Sequence, residues 1–129
     1  MHRFVDHTAE LELELEAASA EGVLQEALEA FAELAGTGTG EQVEREVELE
    51  ASDLPALLAT WLDELLFLAD SEGLLPERAE LAVSDTRVAG RLFLRRGAPR
   101  PLVKAVTLHR LRFRPEDGGV WRGRVVLDV

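Results

Sequence analysis

Two short acidic segments stand at opposite ends of the chain, Asp6-His7-Thr8-Ala9-Glu10 and Leu127-Asp128-Val129. Core packing gives no reason for the carboxylates there. Glu10 and Asp128 each fall on a segment that reads as a strand. If those strands pair, the two acids and the α-carboxylate of Val129 converge on one small volume, where a cation or a basic partner would relieve their repulsion. That chemistry is an all-oxygen metal site. The spacing leaves plainer readings open: Glu10 is the first of four glutamates on one strand face and can be solvated there, and Asp128 can pair with an arginine of its own strand. Oxygen-ligand sites carry no tight sequence signature that would choose between them.

Other chemistry has less to build on. Three histidines are present, His2, His7 and His109. His109 alternates with Leu111 and Phe113, which predicts a packed, hydrogen-bonded ring. His7 follows Asp6 at the end of a strand, a capping position. No Ser-His-acid set has the spacing of a nucleophile elbow. The absence of cysteine removes disulfides, thiolate zinc sites and thiol catalysis. Gly36-Thr37-Gly38-Thr39-Gly40 follows a helix and precedes a strand, the reverse of the order in which backbone N–H groups and a helix dipole meet phosphate, so it reads as a connector.

The elements that must position these residues are legible from their periods. Leu11, Leu13 and Leu15 alternate with Glu10, Glu12, Glu14 and Glu16, and Val43, Arg45, Val47 and Leu49 alternate with four more glutamates. Both are half-buried strands with an acidic face. Between them Ser19 caps a helix with the stripe Leu24, Leu28, Phe31 and Leu34, closed by Gly36. A second helix opens at Ser52-Asp53 with Pro55 in its first turn, carries Leu57, Leu58, Trp61, Leu62, Leu65 and Leu66, and stops by Gly73. Short strand-like runs follow at about 78–84, 87–95, 103–114 and 120–128, with Asp117-Gly118-Gly119 as the last turn and 97–101 as a loop. This order predicts one α+β domain over residues 1–129: a largely antiparallel sheet with two packed helices, and Phe31, Trp61, Leu62, Leu65 and Leu66 in the core.

At 129 residues the chain is long enough for one core and too short for two. Its most apolar stretch is broken by Asp63-Glu64, and it opens without the apolar run of a signal peptide, so a cytoplasmic protein away from membranes is expected. The net charge of −11 is unevenly spread: residues 1–80 hold 21 of the 25 acids and three arginines, whereas residues 81–129 hold 11 basic residues. Acidic and basic strands neutralising each other across the sheet would account for this. An RNA-binding module using Arg110, Arg112, Arg114, Arg122 and Arg124 is the alternative. The overall negative charge, the absence of tyrosine and the lack of aromatic-basic interleaving speak against strong direct nucleic-acid binding.

The Asp-His-Thr-Ala-acid opening resembles that of the archease family, small activators of the RtcB-type RNA ligase of tRNA splicing. Three further stretches match in order: Trp61 to Leu66 running into Asp70-Ser71-Glu72-Gly73-Leu74, then Val103 to His109, then Trp121 to Val129. The resemblance implies a non-enzymatic protein whose divalent cation is held by Glu10, Asp128 and Val129. It also implies that Asp6, His7, Asp70, Glu72, Lys104 and His109 are partner contacts. The family usually has aspartate where Glu10 stands. The longer arm favours the adaptable shell of Ca²⁺ over the strict octahedron of Mg²⁺, with Mn²⁺ a further choice. The link from Arg96 to Val103 is shorter than in many members. A role beside a tRNA methyltransferase, as chaperone or modulator, is the family's other implied function.

Overall fold

The computed structural model describes residues 1–7 and 9–129, the side chain of His7 excepted. Seven strands and two helices follow in the order β1 (His2–His7), β2 (Glu10–Ala17), α1 (Ala20–Ala35), β3 (Gln42–Glu50), α2 (Leu54–Glu72), β4 (Leu74–Ser84), β5 (Arg87–Arg96), β6 (Ala105–Pro115) and β7 (Trp121–Asp128). Every pairing is antiparallel, and the α+β class expected from the sequence is what the chain adopts. The single expected sheet is in fact two: four strands in the order β1-β2-β7-β6 and three in the order β3-β5-β4. The opening segment is a strand of its own, paired along β2.

Local rules set the helix ends. The Ser19 hydroxyl accepts from the Gly22 N–H at 3.0 Å and the Asp53 carboxylate from the Ala56 N–H at 2.8 Å, each satisfying a donor that has no partner inside its helix. Gly73 closes α2 in the left-handed region at φ 64°, and β4 begins at the next residue. It starts four residues earlier than the β-rich run suggests. Pro76 is accommodated because β4 is an edge strand, with an irregularity in pairing between Pro76 and Arg78.

Both helices touch both sheets, α1 against β2 and β4 and α2 against β6 and β3, so one apolar cluster joins the layers. Phe31, Trp61, Leu62 and Leu65 lie in it, and the Trp61 indole N–H donates to the Leu24 carbonyl at 2.9 Å, tying α2 to α1. Leu66 is only half-buried and packs on the margin of the cluster. Its place one residue past Leu65 turns it about 100° away from the seam.

Candidate metal and partner-binding tip

The four-stranded sheet positions the acidic ends of the chain. Its register aligns His7, Glu10, Asp128 and Ala105 across β1, β2, β7 and β6. Glu10 therefore stands directly opposite Asp128, with Cα atoms roughly 4.5–5.5 Å apart as in any antiparallel pair, and their side chains leave the same face. Both are half-buried. The Val129 N–H reaches the Ala9 carbonyl at 3.4 Å, and the Lys104 N–H donates to the Asp128 carbonyl at 2.8 Å. These bonds hold residue 129 beside the pair.

Two like charges opposite each other are unfavourable unless something of opposite sign sits between them. The arginine partner that sequence allows for Asp128 is not there: among the described residues neither Glu10 nor Asp128 has an ion pair. The donor set is all oxygen, which suits a hard cation. No three His, Asp or Glu side chains among the described residues cluster to hold an ion by themselves, so the backbone oxygens of Val129 would have to complete the set.

One rung further along the same face the sheet has an interior of its own. Val126 is fully buried there although it lies on the face turned away from the helices, and Glu12 opposite it is 6% exposed. Beside this rung runs β6, whose pairing slips between Thr107 and Arg112. Arg110, at φ 54°, is turned out of the strand by this bulge and its guanidinium is paired with the Glu12 carboxylate. The bulge also corrects the reading of His109. The interrupted alternation takes it off the face of Leu111 and Phe113 and leaves it exposed, its N–H bonded to the Thr107 hydroxyl at 3.3 Å. Strict alternation gives no sign of such a slip, and a left-handed arginine has no sequence signature either.

The other candidate partner contacts scatter. Asp6 is exposed but opposite Leu11, on the face opposite to that of Glu10 and Asp128. The His7 side chain and Thr8 lie outside the described residues. Asp70 and Glu72 are exposed at the end of α2, where Glu72 pairs with Arg45 at 2.9 Å. Lys104 is exposed next to the tip. The register gathers Glu10, Asp128, Val129 and Lys104 at one end of the sheet, whereas Asp70 and Glu72 belong to α2 and His109 to the irregular part of β6.

These features define a small two-sheet α+β protein whose surface acids meet at the end of a sheet. Residues 2–129 match the model of the Archease protein family. The chain is 32% identical to the protein archease of Archaeoglobus fulgidus, covering 99% of this chain and 98% of that one. It is 30% identical to the protein archease of Pyrobaculum neutrophilum, over 99% and 95% respectively. The fold matches the solution structure of Methanobacterium thermoautotrophicum protein 1598, with TM-score 0.75, 31% identity and coverage of 99% and 98%. It also matches the crystal structure of an archease, described as a possible chaperone, from Thermotoga maritima, with TM-score 0.70, 26% identity and coverage of 100% and 98%. The chain belongs to the archease family.

Proposed function

We propose that this protein is a non-enzymatic activator of an RtcB-type RNA ligase, acting in the cytoplasm in tRNA splicing or RNA repair through its acidic tip. The observation that supports the reading is the register that sets Glu10 opposite Asp128 beside residue 129. A divalent cation, Ca²⁺ by preference, would be held by the two carboxylates and the Val129 carbonyl or carboxylate, offering an electrophilic centre to phosphate oxygens. The chain's own contribution is positional. The paired ends of β2 and β7 fix the two carboxylates at a set spacing, and the Arg110–Glu12 pair stiffens the next rung. Lys104, exposed beside the tip, offers a basic contact to a partner.

Two measurements test the reading at different depths. Calorimetry with Ca²⁺, Mn²⁺ and Mg²⁺ should show binding by the wild type that is lost in Glu10→Gln and in Asp128→Asn; equal binding by all three proteins would remove the metal assignment. Transfer of labelled GMP to a cognate ligase should be faster with substoichiometric amounts of this protein, and ligase turnover should improve. An unchanged rate of the labelled intermediate together with unchanged turnover would end the activator reading. Acceleration of a tRNA methyltransferase instead would favour the family's other implied role.

A further inference from the structure

A second feature lies on the same sheet face, two rungs from the acidic tip. Arg112 on β6 stands directly opposite Arg124 on β7, and both are half-buried. Opposed like charges are unfavourable by themselves. The neighbouring arginines have carboxylates: Arg122 holds Glu16 and Glu116 at 2.7 Å each, Arg114 lies 4.0 Å from Glu116, and Arg110 is on Glu12. Arg112 and Arg124 differ, for among the described residues neither makes a hydrogen bond or an ion pair. Glu14, whose carboxyl feels the charge of Arg124, is hydrogen-bonded to Arg3. Arg112 and Arg124 line a cleft of about 150 Å³ together with Leu15, Arg122, Gly123 and Glu14, the last directly opposite Arg124. That is room for several waters at ~30 Å³ each.

We infer that this cleft binds a phosphoryl oxyanion between Arg112 and Arg124. A guanidinium fork matches the oxygens of phosphate or carboxylate in pairs. Two forks on different strands present two positive charges from two directions, which a tetrahedral phosphate with its oxygens on several sides answers better than a planar, singly charged carboxylate. The phosphate could belong to a small ester, such as a nucleoside monophosphate, or to the backbone of single-stranded RNA. In the second case affinity falls steeply with salt as counterions are released. Along β7 the pair lies four residues from Asp128, about 13 Å. The acidic tip and the basic cleft therefore form separate sites on one face, and this inference does not depend on the tip's holding a cation.

The test is an NMR titration of the whole chain with inorganic phosphate, then with a nucleoside monophosphate and with a single-stranded RNA octamer, on wild type, Arg112→Gln, Arg124→Gln and Arg87→Gln. Arg87 is a control, paired with Glu48 on the other sheet. Phosphate should move the backbone signals of Arg112, Gly123 and Arg124, with affinity at least tenfold weaker in the Arg112 and Arg124 variants and unchanged in Arg87→Gln. Tighter binding of the octamer at the same signals assigns the RNA backbone, and tighter binding of the monophosphate assigns a small ester. Equal affinity in wild type and both cleft variants, or shifts spread evenly over all the arginine-bearing strands, would overturn the proposal. Both cleft variants should fold, since each removes one of two opposed like charges.

Discussion

Glu12 is a carboxylate buried on the sheet face turned away from the helices, and the bulge turns the Arg110 guanidinium onto it. A charge taken out of water needs hydrogen bonds to its charged form, and losing one that involves a charged group costs about 1.5–3 kcal/mol. Arg110→Ala should lower stability by about that amount and loosen the sheet at Val126, visible as faster amide exchange in residues 125–127. His2 makes the second residue-scale prediction. Its Nδ1 lies 3.1 Å from Glu26 and its Nε2 3.0 Å from Glu33, so both nitrogens can donate only when the ring is protonated. Partial burial of the ring works against the charge, but the two carboxylates outweigh it and raise the pKa above the usual 6.5. A raised folded-state value means that the stabilisation is fully present below pH 6.5 and is lost as pH rises through the folded value. Denaturant midpoints of wild type and His2→Gln should therefore differ most in mild acid and converge on the alkaline side; a constant difference would count against protonation as the cause.

At the scale of elements, α2 is the spine of the molecule, with Leu57, Leu58, Trp61, Leu62 and Leu65 almost wholly buried between the sheets. Leu65→Ala should cost on the order of 2–5 kcal/mol in unfolding free energy, because the surroundings only partly close the cavity. The β4–β5 pair depends on a different feature. A β-carbon at Gly90 would come within 2.0 Å of the Glu80 carbonyl oxygen, so Gly90→Ala must push the two strands apart. The expected result is a loss of more than about 1 kcal/mol, measured by chemical denaturation. A neutral outcome would mean that the edge strand yields without cost.

For the whole molecule, the uneven charge of the two halves is resolved by interleaving. Acidic β3 pairs with basic β5, with Arg87 on Glu48 and Arg91 3.7 Å from Glu44, and acidic β2 pairs with β7, with Arg122 on Glu16. Among the described residues two like-charged cross-strand pairs of the four-stranded sheet make no ion pair, Glu10 with Asp128 at one end and Arg112 with Arg124 further along. Asp128→Ala should abolish stimulation of the ligase in the GMP-transfer assay while changing stability by less than about 0.5 kcal/mol, since it removes one surface carboxylate. Loss of stimulation accompanied by unfolding would instead make the tip a structural element.

The sequence by itself determined what depends on short-range periodicity. Leucine alternation in β2, the capped apolar stripes of both helices, the class of the domain and the four family stretches needed no coordinates, because period and capping are properties of neighbouring residues. The strands carrying Glu10 and Asp128 could be seen, but not that they are partners. Register between segments more than a hundred residues apart is fixed by which faces the rest of the core buries. The same long-range choice split the expected sheet in two. It also made β6 slip at Thr107, so that Arg110 could cover Glu12, His109 moved out into solvent, and Arg112 came to face Arg124. Four residues of β6, 108–111, stand against Val125 alone, and an odd surplus of this kind reverses every side chain beyond it; no local pattern announces where the tertiary structure will insert one.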